Sequence, residues 1–192
     1  YFSMPAWIDT GKAAVDWLTT RPEVDGARIG LGGNSFGSFF GTIAAAHEPR
    51  IGAVAVSAVC HEPGFHTIFE EASPTFKMRF MYMSGITDEA EFDEFRKNMT
   101  WEGHAGKIRV PYLCVAGEFD ELSPLEHTER LMKALGGPKR LVVYQDSRHS
   151  VGNVPAANLG PFPPILMADW MAATLSGASF PRPRIAWCQL AP

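Results

Sequence analysis

The segment Gly33-Asn34-Ser35-Phe36-Gly37 constrains this chain more than any other, because it stands where a strand gives way to a helix. Residues 27–32 carry Ile29 and Leu31 in a short apolar alternation that reads as a strand. The residues that follow, to about His47, are small enough (Gly41, Ala44, Ala45, Ala46) for a closely packed helix. A G-x-S-x-G at such a junction forms a sharp turn that lifts the serine Oγ clear of the sheet. Glycines on both sides are expected to let neighbouring backbone pass without a Cβ clash. As a bare pattern the motif is weak, and a glycine-rich turn with a solvent-facing serine is the plain alternative. The context of strand, turn and helix is what favours a presented nucleophile.

The rest of the chain alternates strands with helices. Residues 7–18 have helical apolar spacing, and the apolar run 51–59 is flanked by Pro49 and Pro63 as a strand buried on both faces would be. Further strands are expected at 112–116 and 140–144. Between them, Ser123-Pro124-Leu125-Glu126 reads as a capping box with proline at the first helical position, opening a helix to about residue 135. Residues 164–175 form a closing helix. This pattern predicts an α/β fold, a parallel sheet flanked by helices, and 192 residues at 46% hydrophobic content suffice for one such core. Residues 61–109 are helix-rich, with helices expected at 66–83 and 89–98, and are too long for a plain crossover. They read as a helical cap inserted over the C-terminal edge of the sheet. The expected organisation is therefore core at 1–60 and 110–176, cap at 61–109 and tail at 177–192.

Composition narrows the function. A net charge of −4 with no basic run offers a polyanion nothing to hold, so nucleic acid is not expected as a partner. The longest apolar runs are about half of what a membrane span needs, so no membrane segment is expected. Cys60, Cys114 and Cys188 are widely spaced and form no metal-binding pattern. Cys60 and Cys114 read as buried small hydrophobes in a reducing, cytoplasmic setting. The start at Tyr1, without methionine or leader, reads as a cut inside a longer protein.

A serine hydroxyl becomes a useful nucleophile only when a base takes its proton and a third group holds that base. Asp120 follows the third strand through Gly117-Glu118-Phe119, and His149 follows the fourth through Asp146-Ser147-Arg148. Both fall where strands end, in the order serine, acid, histidine. Glu118, Glu121 and Asp146 are competing acids, Glu121 foremost. His47 and His127 fall on helices with polar neighbours and read as solvated, and His104 has no acid at the right spacing. The Phe36 N–H, next after the serine, is the expected oxyanion donor. The loop that normally supplies a second donor is not found among the 34 residues upstream of Ser35. His61 and Glu62 are accessory candidates facing the cleft, or else loop residues satisfied locally. Phe65, Phe69, Phe76, Met78, Phe80 and their neighbours pack the cap, with some left to line an apolar pocket. This chemistry needs a small-molecule substrate and no metal or organic cofactor.

The run from Val24 to Gly30 leading into GGNSFGS resembles the prolyl-oligopeptidase-type α/β-hydrolases. Four further stretches narrow the resemblance to the FrsA-like esterases and the 2,6-dihydroxypseudooxynicotine hydrolase group. They are His47-Glu48-Pro49-Arg50, Ile108-Arg109-Val110-Pro111, Gly117-Glu118-Phe119-Asp120 and Met167-Ala168-Asp169-Trp170. The resemblance implies the α/β-hydrolase fold, with a helical segment and the first half of the sheet preceding residue 1. It also implies a homodimer in many members, and hydrolysis of esters or of carbon–carbon bonds beside a ketone. Ser35, Asp120 and His149 carry over as its triad. Glu62 lies in the region where the carbon–carbon hydrolases use an extra acid. The reading from another class is an inactive hydrolase-like fragment or interaction module that needs another chain, since an unpaired edge on the strand at 27–32 would be a liability in a free monomer.

Overall fold

A computed structural model describes residues 1–151 and 161–178. The chain opens with helix α1 (Met4–Thr19), whose first turn is closed by the Ser3 hydroxyl accepting the Ala6 N–H. Strand β1 (Ile29–Ser35) then runs directly into helix α2 (Phe36–His47), so the strand carries its pairing through Gly33, Asn34 and Ser35 rather than ending at Gly32. Strands β2 (Ile51–Val59), β3 (Tyr112–Gly117) and β4 (Lys139–Tyr144) follow. All pairings are parallel and the order is β1-β2-β3-β4. The strands therefore all end at one edge.

The apolar runs of β2 and β3 bury both faces, as parallel strands do. Val54, Val56, Tyr112 and Cys114 point into one core layer with Phe39, Ile43 and Leu131, while Ala53, Ala55, Leu113 and Val115 point into the other with Leu166 and Trp170. Helices α1, α2 and α5 (Leu125–Ala134) cover the first layer, and helix α6 (Pro163–Leu175) covers the second. Full burial of each such Val or Leu contributes about 1.5–3 kcal/mol. A buried Tyr112 hydroxyl, 2.7 Å from the Thr42 hydroxyl, ties β3 to α2.

Residues 61–109 are helical but more broken than expected. In place of one helix over 66–83 there is a 3-10 turn (Pro63–Phe65), a π-helical turn (Thr67–Glu71) and helix α3 (Pro74–Ser84). Pro74 is the physical reason: it lacks an N–H and its ring excludes the preceding turn, so it starts a helix instead of sitting inside one. Helix α4 (Glu89–Arg96) agrees with the expected second helix. The capping box at Ser123 does not form. Helix α5 starts without a side-chain cap, and the buried Ser123 hydroxyl instead accepts the His61 N–H at 2.9 Å.

His47 and His127 are also not solvated as expected. His47 Nε2 lies 2.8 Å from His104 Nδ1, joining the end of α2 to the end of the 61–109 segment. The His127 side chain is 17% exposed and sits near Glu62 and Glu126. Cys60 and Cys114 are buried free thiols, while Cys188 and the tail from residue 179 lie outside the described residues. Among the described residues, no helix is long and apolar enough to cross a membrane.

Candidate active site

Ser35 closes β1 with φ 53° and ψ −126°, a conformation L-residues adopt only when the surroundings enforce it. Gly33 permits the close approach that goes with this turn. A Cβ there would run into the carbonyl of Gly37, so the strand and the first turn of α2 approach too closely for any other residue. Gly37 itself faces open space. Only the first glycine of the pair is required by a Cβ clash, contrary to the expectation that both are. Phe36 is the first residue of α2, so helix geometry gives its N–H no partner within the helix and leaves it beside Ser35 at the positive end of the helix dipole.

The acid and the histidine arrive on the loops after β3 and β4. Asp120 Oδ1 accepts the N–H groups of Leu122 (2.9 Å) and Ser123 (3.0 Å), which fixes the carboxylate. His149 Nδ1 lies 3.0 Å from both Asp120 oxygens, and His149 Nε2 lies 2.9 Å from Ser35 Oγ. A carboxylate only accepts, so Nδ1 carries the proton and Nε2 is left to accept the serine hydroxyl. Three side chains from three strand ends thus form one continuous relay.

Two of the competing acids support the histidine loop. Glu121 Oε2 accepts the His149 N–H at 3.1 Å, and Glu118 Oε2 accepts the Asp146 N–H at 3.1 Å. Burial pushes the Glu121 carboxyl up, but backbone donors from Glu121 and His149, with the charge of Arg148, outweigh it and leave the group below its ordinary value. Gly117 lets the two loops meet, since a Cβ there would enter the carbonyls of Ser147 and Arg148. The Phe119 N–H donates to the Ser147 carbonyl at 2.9 Å in the same seam.

His61 and Glu62 make no hydrogen bond to this relay among the described residues. His61 is fully buried: its N–H goes to Ser123, its Nδ1 lies 3.2 Å from the Thr128 hydroxyl, and its carbonyl accepts the Trp101 indole N–H at 2.6 Å. Burial lowers its pKa to about 3, so the ring is neutral. Glu62 Oε2 accepts the Thr67 N–H at 2.8 Å, and Oε1 stands 3.9 Å from His127 Nε2. His61 is thus tied to distant elements and Glu62 to its own loop, both away from the relay. The residue that does reach the nucleophile is Cys60, whose Sγ lies 3.6 Å from Ser35 Oγ. Its signal in the sequence is positional, because parallel register sets Ser35 opposite Val59, one residue before it.

Phe36 turns its ring into the 61–109 segment, 4.6 Å from Phe80, 5.3 Å from Phe65 and 6.3 Å from Phe69 between centroids. A cavity of about 430 Å³ opens beside it, lined by Phe36, Phe76, Met78, Arg79, Phe80, Tyr82 and Met83. Among the described residues, no cluster of three or more His, Cys, Asp or Glu side chains could hold a metal ion.

A model of the prolyl oligopeptidase family matches residues 9–159. No curated protein matches the sequence. Among solved structures, 2,6-dihydroxy-pseudo-oxynicotine hydrolase is similar at a TM-score of 0.75 and 24% identity, over 90% of this chain and 47% of that one. Acetyl xylan esterase 1 from a Thermoanaerobacterium species is similar at 0.64 and 18%, over 87% and 52%. Dipeptidyl peptidase 4 from Porphyromonas gingivalis is similar at 0.65 and 21%, over 90% and 23%. The chain spans about half the length, or less, of these proteins. The likenesses establish the α/β-hydrolase fold.

Proposed function

Since this chain belongs to the prolyl oligopeptidase family, we propose that it is a serine hydrolase that cleaves an ester or related acyl bond of a small, largely apolar substrate. The observation that carries this reading is the unbroken relay from Ser35 Oγ through His149 to Asp120. His149 Nε2 takes the hydroxyl proton as Oγ adds to the substrate carbonyl, and the Phe36 N–H stabilises the oxyanion. The imidazolium then gives that proton to the leaving group, and water, deprotonated by the same imidazole, releases the acid from Ser35. Asp120 holds the Nδ1–H throughout and offsets the positive charge on the ring. In this reading residues 61–109 act as a cap and the cavity beside Phe36 receives the apolar part of the substrate.

Cleavage of a carbon–carbon bond beside a ketone is the second reading, since one structure of similar fold is the 2,6-dihydroxy-pseudo-oxynicotine hydrolase. Glu62, the residue proposed to assist it, has its carboxylate bonded to the Thr67 N–H, which favours the ester reading. Fluorophosphonate labelling of the wild type and of Ser35→Ala tests the class. Labelling of the first and not the second is expected, and no serine-dependent labelling would reject the hydrolase. Turnover of p-nitrophenyl esters against a β-diketone separates the two bond types.

A further inference from the structure

The nucleophile has a second polar neighbour whose role the relay leaves unexplained. Ser35 Oγ has one proton and two lone pairs. Its proton goes to His149 Nε2 at 2.9 Å, so a group touching the oxygen from another side must donate to it. The Cys60 thiol is that group, 3.6 Å away and with no exposed surface. From this geometry we infer that Cys60 is a positioning residue: its S–H donates to Ser35 Oγ, fixes the hydroxyl rotor toward His149, and leaves the remaining lone pair aimed at the substrate carbonyl.

Three further observations support the assignment. Cys60 is itself firmly placed, since it directly follows β2, where Val59 pairs with Ser35, and its N–H donates to the buried Ser38 hydroxyl at 2.8 Å. The thiol also keeps its proton. Burial pushes it up to about 12, with Asp120 adding to the rise and the contact with Ser35 opposing it. Finally, a thiol is a weak donor, so it orients Oγ without drawing away much of the electron density that the attack uses. The serine itself cannot set this rotor by packing, because a hydroxyl proton turns freely about the C–O bond until bonds on both sides fix it.

This inference rests on the hydrolase reading for its kinetic meaning but not for its geometry, so two measurements test it. The first is the infrared S–H stretch of the whole protein, with the Cys60 band identified by its loss in Cys60→Ser. In Ser35→Ala that band is expected to move to higher wavenumber as its acceptor disappears, whether or not the protein is active. A band that stays in place overturns the inference. The second is the rate of fluorophosphonate labelling. Cys60→Ala is expected to label roughly tenfold more slowly than wild type, as loss of about 1.4 kcal/mol of nucleophile positioning would give. Cys60→Ser, which restores a donor, should recover part of that rate. Labelling of Cys60→Ala at the wild-type rate, or of Cys60→Ser below Cys60→Ala, assigns the thiol to packing alone and overturns the inference. Absence of serine-dependent labelling in the wild type with a shifted S–H band would reject the hydrolase while leaving the hydrogen bond established.

Discussion

Asp120 Oδ1 serves three groups at once, accepting the Leu122 and Ser123 N–H groups of its own loop and facing His149 Nδ1. Replacing it by Asn keeps the loop bonds but offers the imidazole an amide, which favours the wrong tautomer. Asp120→Asn is therefore expected to lower kcat on a p-nitrophenyl ester by about 10⁴ with little change in melting temperature. Glu121 accepts the His149 N–H, and Glu121→Gln retains an acceptor there, so its kcat should stay within about tenfold of wild type. His61 supplies a pH dependence of stability. Its ring has an ordinary value of 6.5 when unfolded and about 3 when buried, so the unfolded chain binds the proton first. The stability it contributes is full above about 6.5, falls as pH drops toward 3, and is lost below. His47 and His104, both lowered chiefly by burial, act in the same direction. Urea midpoints at pH 7 and pH 4.5 should differ clearly in the wild type and less in His61→Asn. The meeting of Ser35, Asp120 and His149 was legible in the sequence because each falls at a strand end, Ser35 in a strand-to-helix turn and the other two in short loops. Cys60 was not, since its importance comes from register across two strands and its local sequence is only an apolar run.

At the scale of elements, the strand-to-helix turn rests on one close approach. Gly33→Ala forces a Cβ into the Gly37 carbonyl, an overpacking that costs on the order of 1–3 kcal/mol and displaces Ser35. Gly37→Ala adds a methyl group to open space at a helix start and should leave the melting temperature near wild type. Thermal denaturation of the two variants, with labelling of each, checks the contrast. A sequence pattern with two equivalent glycines could not separate them, because which Cβ collides depends on the angle between β1 and α2. Ser123 illustrates the same limit. Its spacing to Glu126 fits a cap, but the hydroxyl is drawn away by a buried N–H from a distant loop, and satisfying a buried donor outweighs a cap at a partly solvated helix end. The break at Pro74, by contrast, is written in the sequence, because a proline outweighs the apolar periodicity on either side of it.

Across the whole molecule, the sheet order follows chain order, and Ser35, Asp120 and His149 all lie at or just after strand ends on the same edge. That much is dictated by alternation of strands and helices, since parallel strands joined by crossovers must all point one way. The packing of residues 61–109 is less legible, because its phenylalanines have no single period and meet only in three dimensions. Phe69 sits among Phe36, Phe65, Phe80 and Phe92. Phe69→Ala should lower stability by about 3–5 kcal/mol, measured by chemical denaturation. One ring that joins this cluster to helix α2 belongs to Phe36, whose amide stands beside the serine. In the proposed reaction one residue would thus be both a wedge in an aromatic stack and the donor to the oxyanion. Whatever pries the stack apart pulls on that amide as well, so a molecule forcing its way among these rings would register as a change in rate before it registered as a change in shape.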